Sequence, residues 1–197
     1  MYVRRTPLAL LAAVALALPG LASAQARGAY RTPSPQIGAL IGVEDGDGDA
    51  GLALRLDGEF DYQALAPAVR LSFVGSLGFT RWTDDTGPFS DLDWSVNVFK
   101  FVPAARFSFG RSPTLRPYFD AGLGLYYASF SFETFDGFGR LVRRTDSELS
   151  LMMRLAGGLL FQVSPGLSLG GELGITPYFG DLDDNTFSLM FAAVFRM

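Results

Sequence analysis

The sequence predicts an all-β fold, an eight-stranded antiparallel up-and-down β-barrel that spans a membrane. Three observations predict it. Apolar and polar residues alternate with period two along eight segments of the 197-residue chain, which is typical of strands whose two faces meet different surroundings. The connections between these segments alternate between short and long, as in an antiparallel meander. An export signal precedes the pattern.

The start of the chain has the three parts of a cleaved signal peptide. Two arginines precede an unbroken apolar run over residues 8–18, and an A-x-A site follows at residues 22–24. The apolar run is shorter than the roughly 20 residues of a transmembrane helix. The predicted organisation is a signal peptide over residues 1–24, a periplasmic tail over residues 25–35 and a transmembrane barrel domain over residues 36–197.

Composition excludes several classes of function. The chain has no Cys and no His, which excludes disulfide scaffolds, thiolate metal sites and Ser-His or Cys-His nucleophile pairs. Its formal net charge is −4, and an acidic exported chain is a poor binder of nucleic acid. We therefore expect no enzymatic activity, no cofactor and no nucleic-acid partner.

Each predicted strand carries one apolar face. In residues 52–63 the even positions are apolar apart from Gly58, and the odd positions carry most of the charge. In chain order, the predicted strands are residues 36–43, 52–63, 69–81, 92–109, 117–127, 149–163, 167–179 and 187–197. Short connections (64–68, 110–116, 164–166) alternate with longer, more polar ones (44–50, 82–91, 133–147, 180–186).

The fourth predicted strand is irregular. Its apolar residues fall on even positions as far as Val98 and on odd positions from Phe101 onward. One inserted residue switches the faces of a strand. We therefore expect a β-bulge near Val98 and Phe99, with Pro103 close to the irregularity.

Periodicity alone does not decide which face points outward. A soluble periplasmic barrel of the lipocalin type would bury the apolar face, whereas a transmembrane barrel turns it toward lipid. The predicted strands cover the roughly 9–11 residues that cross a membrane, and aromatic residues cluster near both strand ends, as in interfacial girdles. These residues are Trp82, Trp94, Phe130, Phe132, Phe179 and Phe187 at one rim and Tyr62, Phe109, Tyr118 and Phe161 at the other. The pattern favours the transmembrane orientation; the soluble barrel stays an alternative.

The polar face is predicted to fill the lumen with paired charges. An eight-stranded barrel is just wide enough for side chains to fill, and cations and carboxylates on this face are nearly balanced. The predicted structural network is Arg55, Asp57, Glu59, Asp61, Arg70, Lys100, Arg106, Arg116, Asp120, Glu148, Arg154, Glu172 and Arg196. Such a plug predicts a structural or surface-interaction role. A narrow channel for small or hydrophobic solutes stays an alternative.

One predicted loop has part of a calcium-binding pattern. Asp45, Asp47 and Asp49 have the spacing of the first three ligands of an EF-hand loop. Ala50 and Leu56 occupy the positions of its Gly and its last Glu. The segment is thus at most a weak divalent-cation loop, with a solvated acidic hairpin loop as the simpler interpretation, and no metal site is assigned.

Another predicted loop carries a cluster of arginines. Arg140, Arg143 and Arg144 lie within residues 133–147, where guanidinium groups could form charge-assisted hydrogen bonds with lipopolysaccharide phosphates. The alternative is an ordinary exposed charge cluster, because surface charges usually contribute little.

The last strand supports a resemblance to a known family. Residues 187–197 alternate and end in Phe195, Arg196 and Met197. With its strand number and loop alternation, the chain resembles the small eight-stranded outer-membrane barrels, the OmpA, OmpX and OmpW group. The resemblance implies a place in the outer membrane, in contact with its lipid and lipopolysaccharide, and we expect a monomer. It also implies a last strand that the barrel-assembly machinery reads, although Met197 stands where that family usually has Phe.

Overall fold

The computed structural model describes residues 35–46, 49–84, 94–110, 114–135, 138, 141–180, 182 and 185–197. The predicted signal peptide and nearly all of the predicted tail lie outside these residues. The strands are β1 (Gln36–Gly46), β2 (Asp49–Ala66), β3 (Val69–Asp84), β4 (Trp94–Phe109), β5 (Leu115–Phe135), β6 (Leu141–Ser164), β7 (Leu167–Pro177) and β8 (Asn185–Arg196). No helix in the described ranges is both long and apolar enough to cross a membrane.

The eight strands form a closed barrel in sequence order. Each strand pairs antiparallel with the next, and β8 pairs with β1 to close the ring, for example at Ile41 and Phe191. This confirms the predicted up-and-down topology. We call the end where β1–β2, β3–β4, β5–β6 and β7–β8 connect the loop end, and the opposite end the turn end.

Several strands are longer at the loop end than the sequence predicted. β5 and β6 pair as far as Phe135 and Leu141, so most of the predicted connection 133–147 is strand. β1 and β2 pair as far as Gly46 and Asp49, which also shortens the predicted connection 44–50. The alternation of apolar and polar residues fades there, but ladder hydrogen bonds do not require an apolar face.

Apolar side chains point outward from the barrel and polar ones point inward. Leu56 is 58% exposed, whereas its neighbours Arg55 and Asp57 are 8% and 3% exposed. The same contrast recurs around the ring, with Phe73, Phe101, Leu123, Leu151, Leu173 and Phe191 all exposed. A polar interior inside an apolar surface is the arrangement of a transmembrane barrel. The alternative of a soluble barrel with its apolar face inward is therefore wrong.

The predicted β-bulge in β4 is also wrong. β4 pairs with β3 in one register from Phe109 to Trp94, and its pairing with β5 shows no shift. Val96 and Val98 are buried in the lumen, on the same face as Arg106. The apolar residues change from odd to even positions along β4 toward the loop end because its lumen lining changes there from charged to apolar, with no change of face. The register shifts of the barrel lie elsewhere, near the turn end of β2 and of β6.

Two apolar clusters lie inside the barrel. The loop-end cluster is Trp82, Val96, Val98, Val102, Tyr126, Ala128, Met152 and Tyr178, with Trp94, Phe130 and Leu182 packed against it. The turn-end cluster is Leu40, Ala53, Tyr118, Leu160, Met190, Ala192 and Val194. Trp82, Trp94, Phe130 and Tyr118 were expected in interfacial girdles but pack into the lumen, because they lie on the inward faces of β3, β4 and β5. The other six predicted girdle aromatics are exposed.

A glycine makes room for one of these aromatics. Gly158 on β6 is directly opposite Tyr118 on β5, and a Cβ at Gly158 would come within 2.4 Å of the Tyr118 ring. No such contact exists at Gly75, where a Cβ would meet nothing within 4 Å. The two glycines thus provide a matched test of packing inside and outside the barrel.

Gly158→Ala is expected to lower the free energy of unfolding by about 1–3 kcal/mol, the usual cost of overpacking a filled interior. Gly75→Ala is expected to change it by less than about 0.5 kcal/mol, as at other sites with no special contact. Urea unfolding of both variants in phospholipid vesicles measures the difference. Equal losses would contradict the placement of the Tyr118 ring.

Candidate functional site

Arg55 on β2 joins two walls of the barrel. Its Nε and Nη2 donate hydrogen bonds to the Asp57 carboxylate at 2.8 and 3.1 Å. Its Nη1 and Nη2 donate to Glu172 on β7 at 2.6 and 2.7 Å. Asp57 and Arg55 face the lumen together because residues two apart lie on one face of a strand. The Arg55 guanidinium is thus held by two forked ion pairs. Glu172 also accepts a hydrogen bond of 2.9 Å from the Tyr118 hydroxyl.

Arg106 on β4 contacts three carboxylates. Its Nε and Nη2 donate to the two oxygens of Asp120, both at 2.7 Å. Its Nη1 donates to Glu59 at 2.8 Å and its Nη2 to Asp57 at 3.3 Å. The guanidinium carbon also lies 4.3 Å from the centroid of the Tyr118 ring, a cation–π distance.

Arg154 on β6 is the third buried guanidinium and the least well paired. Its Nη2 donates to Asp120 at 3.1 Å, on the oxygen that also binds Arg106. Its Nη1 donates to the Ser76 hydroxyl at 3.0 Å, and Ser76 in turn donates to Asp57 at 2.8 Å.

These interactions form one connected group. We call it the central network; it consists of Arg55, Asp57, Glu59, Arg106, Asp120, Arg154 and Glu172, each 8% exposed or less. An isolated buried charge is very costly, whereas a paired and hydrogen-bonded one is tolerated. The network also ties β2 to β7 through Arg55 and Glu172, and β4 to β2 through Arg106 and Glu59, so it braces strands that are not neighbours in the sheet.

Glu44 forms a second polar group, which the sequence analysis missed. Its Oε1 accepts hydrogen bonds from Tyr178 at 2.8 Å and Thr186 at 2.6 Å. Its Oε2 accepts from Thr80 at 2.8 Å and forms an ion pair with Lys100. The alternation predicts that the first strand ends at residue 43 and that Glu44 lies in a loop. Continuing the inward face of the strand by one more position would have found it.

The other predicted lumen residues lie outside the central network, and among them Arg116 contacts its edge. Arg116 is half-buried and lies 3.6 Å from Glu59, with a second contact of 3.2 Å to Gln36. Asp61 accepts a hydrogen bond of 3.0 Å from Ser72, and Glu148 accepts one of 3.0 Å from Tyr126 in the loop-end half of the barrel. Arg70 and Arg196 are exposed near the turn end, and within the described ranges no ion pair is found for either.

The two predicted loop sites are only partly described. Asp45 and Asp49 are exposed where β1 ends and β2 begins, and Asp47 lies outside the described residues. In the described part of the chain, no group of three or more His, Cys, Asp or Glu side chains is placed to hold a metal ion.

Of the predicted arginine cluster, Arg140 also lies outside the described residues. Arg143 and Arg144 are exposed on β6, opposite Glu133 and Phe132 of β5. Neighbouring residues of a strand point to opposite faces, so these two side chains leave the β5–β6 hairpin on different sides.

The chain is similar to known outer-membrane proteins. Residues 8–195 match the family described as outer membrane protein beta-barrel domain. Neisserial surface protein A is 16% identical with a TM-score of 0.54, over 84% of this chain and 97% of that one. The attachment invasion locus protein Ail of Yersinia pestis is 16% identical with a TM-score of 0.51, over 84% and 97%. A major outer membrane protein from Thermus thermophilus is 16% identical with a TM-score of 0.54, over 83% and 99%. At these identities the structures establish the fold alone. No curated protein matches the chain.

Proposed function

This chain belongs to the outer membrane protein beta-barrel domain family, and from that premise we propose that it is a non-conducting barrel with a structural or surface-interaction role. Its place is the outer membrane, and we propose that its loop end faces outward. One observation carries the proposal. The guanidinium groups of Arg55, Arg106 and Arg154 occupy the lumen, and all three residues are buried against carboxylates of other strands.

The arrangement opposes the passage of ions in two ways. An ion crossing the middle of the lumen would have to separate Arg55 from Asp57 and Glu172, which would leave charges unpaired in a buried site. Nearer the loop end it would have to pass the loop-end cluster, where Val98, Tyr126 and Met152 are at most 1% exposed. Apolar side chains offer an ion no replacement for its hydration shell. Both features support a plug rather than a pore.

Conductance in planar lipid bilayers tests this proposal. The wild-type barrel is expected to show no stable channel, and Arg55→Ala combined with Arg154→Ala is expected to give discrete conductance steps. The matched control is Arg70→Ala combined with Arg196→Ala, which removes two exposed arginines near the turn end. Its traces are expected to equal those of the wild type.

The same recordings distinguish the alternative of a narrow channel. Regular conductance steps from the wild type that the Arg55 and Arg154 substitutions leave unchanged would contradict the plug and indicate a conducting channel. A band shift between unboiled and boiled samples on SDS gels verifies that each variant is folded before it is recorded.

Lipopolysaccharide is the proposed partner at the loop end. Arg143 and Arg144 are exposed on the β5–β6 hairpin, and Arg140 is near them in the sequence. Guanidinium groups bind phosphate through forked, charge-assisted hydrogen bonds. The acidic residues Asp45 and Asp49 are exposed at the same end and could share divalent cations with the same phosphates.

Added lipopolysaccharide is expected to raise the thermal midpoint of the wild-type barrel, because a ligand that binds only the folded state stabilises it. Arg143→Gln combined with Arg144→Gln is expected to remove at least about half of that rise, since both phosphate contacts are lost. Arg70→Gln combined with Arg196→Gln, at the opposite end, is the charge-matched control. Equal increments in the two double variants would exclude the hairpin arginines as the contact.

We further propose that the barrel is monomeric and that β8 is its signal for the assembly machinery. Phe195 and Met197 lie two residues apart, and both are exposed, at 50% and 68%. The proposed role is not enzymatic. Carboxylates of the central network pair with arginines, and the chain has no His or Cys to serve as a base or nucleophile.

A further inference from the structure

A small cavity lies between the central network and Glu44. Its volume is about 30 Å³, and the polar residues that line it include Glu44, Arg55, Ser76, Lys100, Arg154 and Ser188. Apolar residues of both internal clusters, such as Met152 and Met190, complete the wall. A single water needs about 10–15 Å³ of such space, so the cavity has room for a monatomic ion or about two waters.

One cation in this wall lacks a complete set of partners. Arg154 is 5% exposed, and among the residues that the structure describes its Nε has no hydrogen-bond partner. Its nearest carboxylate, Asp120, binds Arg106 at 2.7 Å and Arg154 at 3.1 Å through the same oxygen. An unsatisfied buried donor is costly, and more so when it is charged.

Donor capacity is left on the two least well paired cations of the wall, Arg154 and Lys100. Lys100 carries three N–H groups and has one carboxylate partner, Glu44. Both Glu44 oxygens already accept two hydrogen bonds each. Ser76 already donates to Asp57 and accepts from Arg154. A water molecule needs acceptors for its own two hydrogens, whereas an anion only accepts and so suits the cationic donors of Arg154 and Lys100.

We propose that this cavity is a binding site for one monovalent monatomic anion of the chloride type. Arg55 is already held by Asp57 and Glu172, so the cations that offer donors to the cavity are Arg154, through its Nε, and Lys100, which is paired with the carboxylate of Glu44. The anion would accept a hydrogen bond from the free Arg154 Nε and complete the pairing of the least satisfied guanidinium in the lumen. The site does not depend on whether the barrel conducts, because it requires only the geometry of the cavity.

Bromide provides a direct test with the wild-type protein. Crystals grown in sodium bromide are expected to show an anomalous difference peak between Arg154 and Lys100. A peak at this place supports the site. Well-ordered side chains around the cavity with no anomalous peak, or with density for water only, would overturn it.

A stability measurement tests the same site in solution. At constant ionic strength, gluconate is replaced with chloride, and the unfolding temperature is read from the loss of the folded band on unboiled SDS gels. At a chloride concentration about ten times the dissociation constant, this temperature is expected to rise by about 3 °C. Arg154→Gln is expected to lose this rise, and Arg70→Gln, the matched control, to keep it. If Arg154→Gln does not fold, Gly78→Ala takes its place, since Gly78 also lines the cavity and its added Cβ would lie 3.4 Å from the Lys100 Cβ. An equal chloride effect in all variants, or none in the wild type, would overturn the proposal.

Discussion

Replacing Arg106 with Met is expected to lower the free energy of unfolding by about 3–5 kcal/mol, or to prevent the barrel from folding. The reason is the number of charges that would lose their partner. Arg106 binds Asp57, Glu59 and Asp120, and the last two have at most 2% exposure. Methionine fills similar space but offers no donor, so these carboxylates would be left close together without their shared cation.

Urea titration in phospholipid vesicles measures this loss, and Arg70→Met is the matched control. Arg70 also points from a strand toward the lumen side but is exposed, so its substitution is expected to change the free energy of unfolding by less than about 0.5 kcal/mol. Arg106→Lys keeps the fold measurable if the Met variant does not refold. It retains the charge but not the forked geometry, and an intermediate loss is expected. Similar losses in Arg106→Met and Arg70→Met would contradict the central role of Arg106.

The fold and its location were predictable because they depend on a repeated local signal. Alternation such as Leu54, Arg55, Leu56, Asp57 assigns each side chain to one face of a strand. Eight such segments, joined by connections of alternating length, leave few topologies other than an up-and-down barrel. The structure confirms the ring and its antiparallel order, and the family match places the barrel in the outer membrane.

The pairing of charged residues inside the lumen was not predictable, because alternation gives the face of a residue but not its position along the barrel axis. This position depends on the register between strands. Arg106 is directly opposite Asp120 in the β4–β5 ladder, and Arg55 meets Glu172 across a separation of 117 residues. Neither of these two contacts can be deduced from the spacing of charges along one strand.

The wrong predictions for β4 and for four of the rim aromatics have a related cause, which is that the lining of the lumen changes along the barrel axis. The lumen of this barrel is charged in the middle and apolar toward the loop end, so the inward face of β4 changes from Arg106 to Val98 without any change of register. If every apolar residue is assigned to the lipid-facing side, the apolar lining near Val98 is mistaken for a switch of the strand to its other face. Trp82 was placed in the girdle by the same rule, although its indole N–H donates to the Glu44 carbonyl inside the barrel.

Replacing Leu56 with Arg is expected to cost about 2–4 kcal/mol, because a cation on the lipid face is least tolerated near the bilayer midplane. Leu56 points outward from the middle of β2 and is 58% exposed. Val163 also points outward and is 49% exposed, but it is next to the turn between β6 and β7. Val163→Arg is therefore expected to cost about 0–1 kcal/mol, as for charges near the interface.

This pair of variants separates depth in the membrane from simple loss of an apolar contact. Both substitutions introduce the same side chain at an exposed apolar position, so an effect of composition alone would be equal at the two sites. If depth in the bilayer is the cause, Leu56→Arg lowers the free energy of unfolding more than Val163→Arg in vesicles. In detergent micelles, whose apolar layer adapts around a charge, the difference between the two variants is smaller. Unfolding in both media measures the contrast, and equal losses in vesicles would place β2 at a different depth from the one its exposed residues indicate.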